Sequence, residues 1–172
     1  NYAASLRQVT PEAPQQPARP RGAIRVRCAA MLKQAAASGD VQVIIVRAGD
    51  FFGPGKLDDW FEQGILAQKG EIAMPAALDM RHCWAYLPDL GRVFEKLAWH
   101  RQELGPFENF HFAGHFVTTG EMVSAVQKAA PAPLKVSKLP WALLRVVGLF
   151  NPVMREVHKM RYLWQNPMQL RA

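Results

Sequence analysis

Arg21 and Arg25 stand four residues apart at the head of a helical pattern, so their guanidinium groups would share one face of that helix. Such a pair could grip an anionic group; the other reading is two arginines on the solvated start of a helix. Neither can trade a proton with a substrate, because arginine stays charged at any ordinary pH. Asp50 follows a β-branched run directly, at the strand end where wound α/β sheets bind ligands. Its carboxylate either faces a ligand there or bonds the backbone of its own turn. His82 sits beside Cys83, and His111 and His115 are four apart, but the second pair spans a strand end and a glycine rather than a helix, so no metal site is expected. His82 reads as a polar group at the mouth of a cleft or as a surface-strand histidine. No Gly-x-Ser-x-Gly elbow, Walker loop or Cys-His nucleophile arrangement is present, which leaves hydrolase and kinase chemistry without a motif.

The elements that must hold these residues alternate. Residues 1–20 are rich in proline, with glutamine, a serine and a threonine, and are expected to form an extended surface loop. From Gly22 to Ser38, Ile24, Cys28, Met31 and Ala35 recur at helical spacing, with Gly39-Asp40 as the stop. Val41 to Val46 is a β-branched run of the kind buried on both faces of a parallel sheet. Gly49, Gly53, Pro54 and Gly55 impose an irregular turn, and Asp58 to Gln68 predicts a helix with Trp60, Phe61, Ile65 and Leu66 on its core face. A short Glu71–Met74 segment and a strand over Cys83–Leu87 follow. Pro88-Asp89 opens a helix striped by Leu90, Val93, Phe94 and Leu97, with Asp89 positioned to satisfy backbone N–H groups. Phe110–Ala113 is a further strand, and Thr118 with Glu121 forms a capping box for a helix through Ala130.

Strand and helix in alternation argue for α/β architecture with a parallel sheet, because parallel neighbours need crossover connections. One strong and one moderate buried strand make too small a sheet, so further strands are expected upstream. Asn1 in place of Met, with no charged-then-apolar leader after it, points the same way. Beyond Pro131 the texture changes: a short strand over Leu134–Val136, an apolar helix over Trp141–Leu149, then a basic amphipathic helix through Val153, Val157, Met160 and Trp164. With Arg155, His158, Lys159 and Arg161 opposite its stripe, this helix reads as a lobe element packing over a cleft, a membrane- or partner-docking role being the alternative.

The formal charge is +7, but the basic residues are scattered and no aromatic-basic recognition motif accompanies them. Nucleic acid is not an expected partner, whereas a cleft for an anionic cofactor or substrate would account for the excess. The longest apolar stretch, Trp141–Phe150, is broken by Arg145 and falls short of a membrane span, so no membrane partner is expected. Two cysteines, Cys28 and Cys83, without a Cys-x-x-Cys pair fit a reducing, cytoplasmic setting.

The segment Val43-Ile44-Ile45-Val46-Arg47-Ala48-Gly49-Asp50-Phe51-Phe52-Gly53-Pro54-Gly55 is similar to the strand-and-turn signature of extended short-chain dehydrogenases/reductases, the NAD-dependent epimerase/dehydratase family, where a buried strand ends in Arg-Pro-x-Asn/Asp-x-Tyr-Gly-Pro-Gly. Trp84-Ala85-Tyr86-Leu87-Pro88-Asp89-Leu90-Gly91-Arg92 resembles that family's Tyr-Val-x-Asp-Val-Ala strand-to-helix junction. Pro11 through Gly22 resembles the loop before the family's catalytic helix, Phe110–Gly114 its late sheet strand, and Thr118–Ala130 a substrate-lobe helix. The resemblance covers residues 1–130 and is weak beyond Pro131.

That resemblance implies the C-terminal part of a Rossmann-like doubly wound parallel sheet, residues 1–56 and 82–114, with a smaller, mainly helical substrate lobe over 57–81 and 115–172. It implies NAD or NADP as cofactor, with Arg25, Ala48, Gly49 and Phe51 near it, and a small or sugar-like substrate facing Arg21, Asp50 and His82. The 22–38 helix is the surface through which a homodimer could form. Two departures matter. The family's Gly-x-x-Gly-x-x-Gly turn, which lets backbone and a helix N-terminus approach the pyrophosphate, is not among these residues, so the 172-residue chain alone is not expected to bind the cofactor. The family's Tyr-x-x-x-Lys pair aligns with Arg21 and Arg25, which keeps the spacing and loses the proton-transferring phenol. The expected function is thus an oxidoreductase, epimerase or dehydratase whose nucleotide half lies elsewhere; the alternative is a non-catalytic dinucleotide-binding or sensor protein of the same fold.

Overall fold

β-Branched side chains favour extended backbone, and the strand they predict is present as β2, Val43–Arg47. It runs parallel to β6, Phe107–His111, in the register Val43↔Phe107 to Arg47↔His111. The computed structural model describes residues 2, 7–17, 20–55 and 70–171. Within them the chain is mixed α/β, with its strands in four small sheets: β1–β9, β2–β6, β3–β5–β7 and β4–β8. β2 is half-buried along its whole length rather than sealed on both faces, because β6 is the neighbour it pairs with among the described residues. The helix expected over Asp58–Gln68 lies outside the described residues.

The chain divides into two compact units, residues 1–53, 83–115 and 168–172 in the first and 54–82 and 116–167 in the second. In the first, α1 (Pro20–Ala37) packs on β2 and β6. The helix forms where its periodicity predicts. Ile24, Cys28 and Met31 are exposed, while Gly22, Val26, Ala29 and Ala35 are half-buried and Ala36 is buried. Two stripes of suitable period coexist on α1, and the one with the smaller side chains allows the closer approach of helix to strands.

Residues 1–20 also depart from the expected surface loop. Gln8–Val9 forms β1, parallel to β9 (Gln169–Leu170), and Tyr2, Val9 and Leu170 are buried. Residues 168–172 consequently belong to the first unit and not to the lobe assigned to 115–172. β3 (Asp50–Phe52) pairs in parallel with β5 (Arg81–Tyr86), and β5 runs into α2 (Leu87–Trp99). No side chain caps α2 at Tyr86; Asp89 instead takes the Arg92 guanidinium at 2.6 Å, which corrects its expected role on the backbone.

In the second unit, β4 (Glu71–Met74) lies parallel to β8 (Lys135–Lys138), and Ile72 and Met74 point into the core with Met122, Val123 and Trp164. β7 (His115–Thr118) leads into α3 (Thr119–Ala129), opened by the expected capping box: Glu121 N donates to Thr118 Oγ1 at 3.1 Å, and Thr118 N to Glu121 Oε2 at 2.6 Å. α4 (Trp141–Val147) and α5 (Pro152–Lys159) form a helical hairpin, and a 3₁₀ turn over Met160–Trp164 ends it. The Trp141 indole donates to the Pro75 carbonyl at 2.9 Å and fastens α4 beside β4.

Candidate functional site

The backbone leaving β2 turns at Ala48-Gly49 and re-enters a sheet as β3, in the register Asp50↔Trp84, Phe51↔Ala85 and Phe52↔Tyr86. The turn is possible because residue 49 is glycine: a Cβ there would run into the carbonyl oxygen of Cys83. The two stretches of sequence that stood out for their motifs are therefore hydrogen-bonded neighbours. Trp84 and Ala85 are buried beneath them, and Phe52 packs edge-on to Trp84 at 6.4 Å, against Tyr86 at 5.2 Å and against His115 at 5.7 Å. Burial pushes the Cys83 thiol above its ordinary pKa, and the nearby Asp50 charge acts in the same direction. An inert, protonated thiol is the consequence.

Beyond the C-terminal end of β6, a groove of about 390 Å³ is lined by Asp89, Arg92, Val93, Lys96, Phe112 and His115. Its cations suit an anionic group, with Asp89 already engaged by Arg92. Gly114, at φ +58, lets the chain pass the Trp84 carbonyl there.

The expected site residues fall into three places. Ala48, Gly49, Asp50 and Phe51 share the β2–β3 turn of the first unit. Arg21 and Arg25 are both exposed at the start of α1, a helix with no acidic residue in its first turn. His82 belongs to the second unit, where its ring stacks on the buried Trp164 at 4.2 Å and 22°. A stacked ring of this kind packs a core edge.

A buried polar node went unnoticed in the sequence. His111 Nδ1 lies 3.1 Å from the carbonyl oxygens of both Val9 and Arg171, and its Nε2 lies 2.7 Å from the Tyr2 hydroxyl. Carbonyls only accept, so Nδ1 carries the proton and Nε2 accepts from Tyr2 O–H. Burial lowers the pKa of His111; the two carbonyl contacts oppose that shift, Arg47 reinforces it and Glu12 opposes it. Burial likewise raises the pKa of Tyr2, against the pull of Arg47, whose guanidinium lies 5.8 Å from the ring centroid. Arg47 Nε donates to Asn109 Oδ1 at 2.8 Å, and Asn109 Nδ2 donates to the Pro11 carbonyl at 2.9 Å. The node ties the N-terminal segment, β6 and β9 together. The visible signal was an isolated tyrosine at position 2 and a histidine inside the Phe110-His111-Phe112 strand. Among the described residues, no group of three or more His, Cys, Asp or Glu side chains is placed to hold a metal ion.

No protein-family model matches the chain, and no curated protein is significantly similar to it.

Proposed function

We propose that the chain is part of a NAD(P)-dependent oxidoreductase, epimerase or dehydratase-like protein of the extended short-chain dehydrogenase/reductase type, acting on a small or sugar-like substrate. One observation carries this reading: the Arg47–Gly53 turn and the Trp84–Tyr86 strand, whose motifs resemble that family's, run side by side in parallel register. Parallel pairing of β2 with β6, with α2 in the connection, supports a wound α/β sheet. In this reading Ala48, Gly49 and Phe51 line the nicotinamide side, Asp50 meets the substrate, and Arg25 holds a ribose or phosphate oxygen. The pyrophosphate turn would come from residues outside these 172.

Two measurements test the reading. NADH and NADPH titrated against the 172-residue chain, followed by nicotinamide fluorescence, should show no saturable binding in the micromolar range. The longer polypeptide that the reading requires should bind one of them through a strand–glycine–helix unit; its coding sequence lacking such a unit would sink the proposal. A second reading, a dinucleotide-binding sensor without catalysis, is favoured by Arg21 and Arg25 standing exposed where the family carries tyrosine and lysine. Turnover by that longer polypeptide, or binding without turnover, separates the two.

The exposed stripe Ile24, Cys28, Met31 and Leu32 on α1 is the homodimer surface in this reading. Light scattering should give a dimer for the parent chain and a monomer for the Ile24→Glu, Met31→Glu double variant. A parent chain that is monomeric at high concentration would refute this.

A further inference from the structure

The α4–α5 hairpin of the second unit exposes more apolar surface than any lobe helix needs. Phe150 is 88% exposed, Leu149 73% and Val153 63%, and Leu143, Val146 and Val147 are exposed as well. Leu143, Val146 and Val147, spaced i, i+3 and i+4, share one face of α4, and Leu149, Phe150 and Val153 follow at the turn into α5.

The hairpin is braced by local contacts where it presents this tip. Asn151 caps α5, accepting from Val153 N at 2.9 Å and Met154 N at 3.3 Å, and the two helices close on each other at the buried Gly148, where a Cβ would stand 2.9 Å from Arg155 Cα. Charge then selects the medium. Between residues 135 and 165 the sequence carries six Lys and Arg and one acidic residue, Glu156, which Lys159 engages at 2.7 Å. A groove of about 500 Å³ runs along the hairpin, with Trp141, Val146 and Leu149 as its apolar lining and Arg145, His158 and Arg161 as its polar one. Exposed apolar residues at the tip, with Arg145, Arg155 and Arg161 on the same hairpin, match acyl chains beneath anionic headgroups. No helix among the described residues is long and apolar enough to cross a membrane, and docking of this kind requires none.

We propose that the α4–α5 hairpin docks peripherally on an anionic lipid surface, with Leu149, Phe150 and Val153 entering the acyl region and Arg145, Arg155 and Arg161 meeting the headgroups. This does not depend on the dinucleotide reading. The test is co-sedimentation of the 172-residue chain with vesicles of phosphatidylcholine alone and of phosphatidylcholine mixed with phosphatidylglycerol. Binding is expected to the mixed vesicles, weakened by salt and absent from the neutral ones. The exposed double variant Leu149→Asp, Phe150→Asp should lower partitioning by at least about tenfold. Arg145→Gln with Arg161→Gln should also lower it, whereas Arg27→Gln, on α1, should not. The proposal is overturned by failure to bind either vesicle, by full binding of the Asp variant, or by an equal loss with Arg27→Gln, which would mark unspecific attraction to the net charge. Self-association that the Asp variant abolishes, without lipid binding, would assign the tip to a second copy and overturn it too.

Discussion

Alanine at Gly49 should destabilise the chain by about 3 kcal/mol, the upper end of what overpacking costs, because the new methyl group meets backbone and not a side chain that can swing away. The Cys83 carbonyl carbon would lie 2.6 Å from that Cβ and the Cys83 Cβ 2.8 Å from it. Relief requires β3 to part from β5, which takes Asp50 and Phe51 out of register with Trp84 and Ala85. The same substitution at Gly91 is the internal control. That residue lies within α2 with nothing within 4 Å of an added Cβ, so alanine there should stabilise by about 0.5–1 kcal/mol. Urea unfolding followed by circular dichroism gives both signs; an unchanged midpoint for Gly49→Ala would show that the turn has room to spare.

Replacing His111 with leucine should cost a comparable amount, about 3 kcal/mol, since the Arg171 carbonyl and the Tyr2 hydroxyl lose the ring as a partner and the Val9 carbonyl is left with the Arg171 N–H. The node also makes stability depend on pH. The folded-state pKa of His111 lies below the ordinary histidine value, so between those two values the unfolded chain binds a proton that the folded chain refuses. Its contribution is therefore complete above the ordinary histidine pKa near 6.5 and is lost as pH falls toward the lowered one. Protonation would place a second N–H on the ring facing Tyr2 O–H, which then has no acceptor there. Unfolding midpoints taken from pH 8 down to 5 should fall for the parent chain and change less for His111→Leu. Parallel curves for the two would show that His111 is not the group responsible.

What was legible in the sequence was local. The Val41–Val46 run, the Thr118–Glu121 capping box and the Pro88 helix start each carry their own short-range cause, the strand being observed over Val43–Arg47 and α2 beginning one residue earlier than expected at Leu87. Burial was less legible, because it depends on what arrives from elsewhere. On α1 the recurring residues Ile24, Cys28 and Met31 are exposed and Ala35 is half-buried, because periodicity shows that a stripe exists and not what covers it. Nothing near Tyr2 or Val9 announces that β6 and β9 cover them. The candidate site divides in the same way. Turn glycines and a strand end mark Ala48 to Phe51 in the sequence, whereas nothing beside His82, read either as a cleft group or as a surface-strand histidine, announces its stacking on Trp164.

Because β1 is completed by β9, the order of synthesis and the order of folding cannot coincide in the first unit. A growing chain has made Val9 and His111 long before Leu170 and Arg171 leave the ribosome, and until then the β1–β9 pairing cannot form and His111 lacks one of its carbonyls. The second unit, whose segments end at Pro167, is complete first. Residues 169–171 therefore act as a latch on β1, and removing them would be felt at His111 and, through it, at Tyr2.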